Sequence, residues 1–88
     1  MRYSVELHRD AERYVSRLDR RRQKQIAASI DHLARDPFDP ELSKPLHGKL
    51  SGLRSCRVAD LRILFDVVSE RLLVHIVDIG PRGDVHKR

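Results

Sequence analysis

The chain has 88 residues, 40% of them hydrophobic, which is enough for one small domain with a single modest core. It carries 18 Lys and Arg against 13 Asp and Glu, and the resulting net charge of +5 favours an anionic partner such as nucleic acid. The alternative is that many small soluble proteins are basic by chance. The single cysteine, Cys56, excludes an internal disulfide and a cysteine-rich zinc site, and its strand position indicates a buried small side chain.

The sequence also argues against a membrane or metal role. No apolar run approaches the roughly 18 residues that span a bilayer, and the first residues lack the apolar stretch of a secretory signal. We therefore expect a cytoplasmic protein without a membrane partner. The five histidines show no close paired spacing with carboxylates or cysteines, so we expect no metal site and no cofactor.

The predicted elements begin with a strand and two helices. Residues 3–7 alternate apolar and polar side chains, which indicates a half-buried strand. Four apolar residues between positions 11 and 18 follow helical spacing, which predicts a short helix. Asp19 is the predicted cap of a second helix, and Asp36 ends it because the residue before a proline disfavours the helical region. The apolar stripe of this helix is predicted at Ile26, Ala27, Ile30, Leu33 and Ala34.

Three more strands are predicted after a connecting loop at residues 38–43. Residues 53–58, 61–68 and 72–79 should form an antiparallel meander. In its first pair, one side is apolar and should pack under the helices, with Cys56, Val58, Leu61, Ile63, Phe65 and Val67, whereas the other side has Ser55, Arg57, Arg62 and Asp66. The expected fold is α+β, a helical hairpin packed on one face of a mainly antiparallel four-stranded sheet, in one domain of residues 1–88.

Arg57 and Arg62 flank the two-residue turn predicted at residues 59–60. Counting outward from this turn, the two arginines oppose each other across the ladder and share one face of the sheet. Like charges in this position destabilise a hairpin. An anion between them would explain the pair, and phosphate is the anion that arginine geometry fits best. The alternative is that both side chains simply point into water.

Three stretches resemble the RelE/ParE toxin superfamily: KPLHGKLSGL at residues 44–53, RVADLRILF at 57–65 and IGPRGDVH at 79–86. RelE-like members resemble this chain better than ParE-like ones, because they have basic residues on the central strands and after the last strand. The resemblance implies a toxin that cleaves messenger RNA without a metal, usually in the ribosomal A site. It also implies a RelB-like antitoxin partner, with which the toxin forms a hetero-oligomer.

The chain departs from the superfamily pattern at two places. Many relatives have Gly-Asp-Tyr before the second arginine, where this chain has Ala59-Asp60-Leu61, so the turn must suit an alanine or be strained. Many relatives have a catalytic tyrosine near the C-terminus, where this chain has His86.

RNA cleavage without a metal requires the 2′-OH to attack the adjacent phosphate, charge to be stabilised and the 5′-oxygen to leave. Arg57 and Arg62 would clamp the phosphate and stabilise its developing charge. The resemblance implies that Arg82 approaches the leaving oxygen. His86 would act as general base or acid, since a histidine pKa near 6.5 suits neutral pH better than that of a tyrosine. A solvated loop charge and a tail histidine without function are the alternatives for these last two.

Further basic residues are candidates for RNA binding. Lys49 would contact neighbouring phosphates, with a merely solvated side chain as the alternative, and Arg54 is a further candidate. Four cations crowd the start of the second helix, where the helix dipole disfavours them, so a phosphate backbone would explain Arg20, Arg21, Arg22 and Lys24. A solvated face explains them equally well.

Three functions therefore remain open. The first is a ribosome-dependent endoribonuclease, the second a ParE-like toxin that inhibits DNA gyrase by binding it, and the third an RNA-binding module without catalysis. New 5′ ends in transcripts after brief induction distinguish them.

Overall fold

The computed structural model describes residues 2–81, which fold into two helices and five strands. Short 3-10 turns at Gly48–Leu50 and Ser69–Arg71 lie in two of the connections. The helices and strands, in chain order, are β1 (Ser4–Leu7), α1 (Arg9–Ser16), α2 (Arg20–Arg35), β2 (Ser43–Pro45), β3 (Arg54–Val58), β4 (Leu61–Val68) and β5 (Leu73–Pro81). No helix in this range is long and apolar enough to cross a membrane.

The strands form one sheet in the order β1-β5-β4-β3-β2. β1 runs parallel to β5, and every other neighbouring pair is antiparallel. The predicted α+β architecture is confirmed, but the sheet has five strands and not four. The added strand is β2, which begins at the last residue of the predicted connecting loop. Three residues are too short to show a period of two, and Pro45 is tolerated there because β2 lies at the sheet edge.

The second helix begins and ends at the predicted signals, whereas α1 ends at Ser16, before Leu18, the last residue of its predicted apolar stripe. The Asp19 side chain accepts a hydrogen bond from the Arg22 backbone N–H at 2.8 Å, which caps α2, and Asp36 is the residue at its C-terminal end. Ile26, Leu33 and Ala34 are buried and Ile30 is half-buried, as expected. The prediction for Ala27 is wrong, because this residue is exposed. It lies about 100° around the helix from Ile26, at the margin of the apolar stripe.

The core lies between the helices and one face of the sheet. Ala11, Ile26 and Leu33 of the helices pack in one cluster with Cys56 and Phe65 of the sheet. The predicted apolar side of the β3–β4 pair is therefore confirmed. The register of β4 and β5 shifts between Leu64 and Phe65, which pair with Asp78 and Ile76. This bulge lets Ile76 and Ile79, three residues apart, both be buried.

Candidate functional site

Arg57 and Arg62 are direct partners in the β3–β4 ladder. Both line an open cavity of about 290 Å³ on the sheet face that the helices leave uncovered. The predicted register is confirmed, and with it the prediction that the two arginines share a face. Within residues 2–81 no carboxylate pairs with the Arg57 guanidinium, and this side chain is exposed.

The turn that sets this register has a strained residue. Ala59 has a φ of 55°, in the left-handed region that glycine adopts freely. An alanine pays about 1–2 kcal/mol for this conformation. Of the two alternatives left open for this Ala-for-Gly position, the positive φ supports the strained turn.

Arg22 ties this turn to the start of α2. Its Nη2 and Nε donate to the two carboxylate oxygens of Asp60 at 2.8 and 3.3 Å, and its Nη1 donates to Asp19 Oδ2 at 3.2 Å. The hydrogen bonds and opposite charge raise the pKa of Arg22 and lower that of Asp60. The guanidinium predicted to contact RNA is thus engaged with two carboxylates, and it lies outside the cavity of the arginine pair.

Arg54 is turned away from the same cavity. Its Nε donates to the Ser43 hydroxyl at 3.0 Å and its Nη2 donates to the Ser43 carbonyl at 3.3 Å. The guanidinium carbon lies 5.2 Å from the centroid of the Phe38 ring, within range of a cation–π contact. Side chains alternate along a strand, so Arg54 points to the opposite side of β3 from its neighbour Ser55. In the structure Arg54 therefore orders the segment between α2 and β2.

The other predicted RNA contacts are spread over the surface. Lys49 is exposed in the Gly48–Leu50 turn, and Arg20, Arg21 and Lys24 are exposed at the start of α2. Arg21 lines a smaller cavity of about 100 Å³ beside the Ala59 turn. None of these four residues lines the cavity of the arginine pair. Arg82 and His86 lie outside the described residues, so their predicted roles stay predictions.

The structure adds residues that sequence reasoning did not place at the site. The segment from Pro40 to Lys44 forms one wall of the cavity, and Ser55 forms part of its floor. Lys44 pairs with Ser55 across the β2–β3 ladder, which brings a third cation to the pair. Glu41 lines the same cavity. Ser55 had a visible signal, its spacing of two from Arg57, whereas Lys44 had none because the pairing of β2 was not foreseen.

No arrangement suited to a metal, and no reactive thiol, occurs in the described part of the chain. No group of three or more His, Cys, Asp and Glu side chains is placed to hold a metal ion in residues 2–81. Cys56 is fully buried, as predicted, and burial raises the pKa of its thiol to about 11. The chemistry of the cavity in this range therefore comes from guanidinium, ammonium, hydroxyl and carboxylate groups.

A family model for the ParE toxin of type II toxin–antitoxin systems, parDE, matches residues 2–86. The chain belongs to this family. It is a toxin of a type II toxin–antitoxin system, and its place in the RelE/ParE superfamily is confirmed.

Individual relatives agree with this assignment. An Escherichia coli protein described as a RelE-like toxin is 29% identical over 87 residues, which cover 93% of this chain and 85% of that protein. The solved toxin–antitoxin complex RelBE2 of Mycobacterium tuberculosis has a chain that superposes with a TM-score of 0.83 at 26% identity, over 93% of this chain and 100% of that one. The YoeB/ParE toxin of Agrobacterium tumefaciens shares the fold, with a TM-score of 0.78 at 21% identity, over 90% of this chain and 98% of that one.

Proposed function

We propose that this toxin is an endoribonuclease that cleaves messenger RNA on the ribosome, in the cytoplasm. The Arg57–Arg62 pair supports this proposal best, because its two permanent cations lie opposite each other on one rung of the ladder and line a cavity. A sheet does not gain stability from like charges placed opposite each other. Two guanidinium groups at this spacing can bind one phosphate through several charge-assisted hydrogen bonds.

The reaction is a transesterification. The 2′-oxygen forms a bond to the adjacent phosphorus, the bond from phosphorus to the 5′-oxygen breaks, and the products are a 2′,3′-cyclic phosphate and a free 5′-OH. Arg57 and Arg62 stabilise the charge that develops on the phosphorane oxygens, a contribution of roughly a few kcal/mol per preorganised donor. In this proposal His86 takes the proton of the 2′-OH or supplies one to the leaving oxygen, and Arg82 approaches that oxygen.

We further propose a RelB-like antitoxin as the partner in a hetero-oligomer. The M. tuberculosis relative was solved as a toxin–antitoxin complex, which supports this choice. The net charge of +5 favours an antitoxin segment that is acidic where it meets the cavity. Such a segment would inhibit by covering Arg57 and Arg62.

Mapping of 5′ ends in cellular transcripts after brief induction tests the activity. The unsubstituted chain should create new 5′-OH ends within coding regions. Arg57→Ala and Arg62→Ala should each abolish both the new ends and growth inhibition, because each removes half of the clamp. Arg71→Ala is the matched control, since it removes one positive charge at an exposed position outside the cavity. Full toxicity of both clamp variants would show that the site is wrong.

Inhibition of DNA gyrase is the second candidate, because the matching family model is that of the ParE toxin. A toxin of this kind would leave transcripts intact, cause DNA damage on induction and tolerate loss of Arg57. Intact transcripts together with salt-sensitive RNA binding would instead identify an RNA-binding module without catalysis. Mapping of 5′ ends, a DNA-damage readout in the same induced cells and an RNA-binding titration at several salt concentrations together separate the three functions.

A further inference from the structure

The edge strand β2 places a third cation beside the arginine clamp. Lys44 pairs with Ser55, and Ser55 lies two residues before Arg57 on the same side of β3. Lys44 and Arg57 are therefore diagonal neighbours in the sheet, and the Cα atoms of such neighbours are about 7–8 Å apart. The Cα atoms of directly opposed residues such as Arg57 and Arg62 are about 5 Å apart. Within residues 2–81 no acidic side chain forms a salt bridge with Lys44. All three cations line the same cavity.

Ser55 supplies a hydroxyl between these cations. The residue is only 5% exposed, yet its side chain makes no hydrogen bond to any residue in the range 2–81. No fully enclosed side-chain oxygen or nitrogen in this range lacks a hydrogen bond, so the Ser55 oxygen must open on the cavity that it lines. A largely buried hydroxyl without a partner among residues 2–81 is unfavourable unless a group in the cavity bonds to it.

We propose that Lys44 and Ser55 form a second phosphate subsite, which holds the phosphate next to the one clamped by Arg57 and Arg62. This inference rests on the proposed endoribonuclease function and assigns the path of the RNA across the toxin. The RNA would run from the β3–β4 hairpin, across β3, to the edge strand β2. The offset of Lys44 from the clamp along the ladder is comparable with the step between successive phosphates of a single strand. Lysine acts there as a point charge, and Ser55 donates one hydrogen bond.

The substrate class follows from this arrangement. A single-stranded RNA segment with two successive phosphates fills both subsites, whereas a dinucleotide fills only the clamp. The Lys44 subsite therefore contributes to positioning and to the minimum length of the substrate. It takes no part in the transfer of protons or of the phosphoryl group.

Titrations of the full chain, made by cell-free synthesis, test the subsite. The probes are 2′-O-methyl RNA oligonucleotides, which cannot undergo the 2′-OH attack, with either one or two internucleotide phosphates. We expect Lys44→Ala to weaken binding of the two-phosphate probe about fivefold at low salt. Its salt slope should fall by about 0.7, as for one lost phosphate contact to a single strand. Binding of the one-phosphate probe should stay within about twofold.

Three variants sharpen the test. Ser55→Ala should weaken the two-phosphate probe about threefold, as expected for one hydrogen bond. Lys44→Arg should keep the affinity of the original chain, because the charge remains. Arg71→Ala removes the same charge at an exposed position outside the cavity and should change neither probe by more than about twofold. Thermal melts of each variant confirm that it folds.

The outcomes separate failure of the subsite from failure of the function. If Arg57→Ala loses binding while Lys44→Ala binds both probes like the original chain, the clamp stands and the subsite is refuted. If Arg57→Ala also binds both probes normally, the endoribonuclease site itself is wrong. Equal weakening by Lys44→Ala and Arg71→Ala, or no binding of the two-phosphate probe by the original chain, would likewise overturn the subsite.

Discussion

The Ala59→Gly substitution measures the strain held in the turn between the two arginines. Ala59 has a φ of 55°, which costs an alanine about 1–2 kcal/mol. A glycine adopts this conformation without that cost, but it gives the unfolded chain more freedom, which offsets about 0.4–1 kcal/mol. The free energy of unfolding should therefore rise by about 0.8 kcal/mol. For a domain of this size the melting temperature should rise by about 3–6 °C.

Urea unfolding followed by circular dichroism gives this difference directly. Ala28→Gly is a matched control, because Ala28 is exposed inside α2, where glycine should destabilise by about 0.5–1 kcal/mol. Opposite signs for the two substitutions would show that the local backbone conformation decides the effect. If Ala59→Gly also destabilises the protein, the turn is not strained and the reasoning is wrong.

Two further predictions concern carboxylates. Arg2 and Arg35 hydrogen-bond to Asp31 and lower the pKa of its carboxyl group from 3.8 to about 2. Asp31 therefore stabilises the fold above pH 3.8, and this contribution is lost as the pH falls towards 2. When the pH is lowered from 5 to 2, the urea midpoint of unfolding should therefore fall less steeply for Asp31→Asn than for the unsubstituted chain. An unchanged slope would contradict the assignment. Glu41 puts a negative charge in the proposed phosphate cavity. Glu41→Gln should therefore tighten binding of the two-phosphate probe about two- to threefold. Weaker binding would instead show that the carboxylate favours binding.

Much of the fold could be predicted because its signals are local. The cap at Asp19, the stop at Asp36 and the alternation along β3 and β4 depend on neighbouring residues and survive in the folded chain. β2 could not be predicted, since its three residues become a strand only by pairing with β3. Ala27 was misassigned because it lies at the margin of the apolar stripe of α2, and the helical period alone does not define how wide the buried face is.

The candidate site likewise has a part that could be predicted from the sequence and a part that could not. The opposition of Arg57 and Arg62 follows from counting residues across one turn. The partners of Arg22 and Arg54 could not be counted in this manner, because Asp60 and Ser43 approach them from other elements. The fold thus separates the basic residues into two groups. Arg22 and Arg54 make hydrogen bonds that hold the turn and the loop, whereas Lys44, Arg57 and Arg62 line the cavity.

The arginine pair is the place where this sequence departs from the rules that stabilise its own sheet. Elsewhere in the described sheet, the β3–β4 pairing joins apolar partners such as Cys56 with Ile63 and Val58 with Leu61, which are buried. At the Arg57–Arg62 rung the ladder instead opposes two like charges, next to a turn with a left-handed alanine. Both features reduce stability, and neither improves packing of the core. Departures of this kind are expected where function constrains the sequence, and the cationic cavity is therefore the first place to test by mutation.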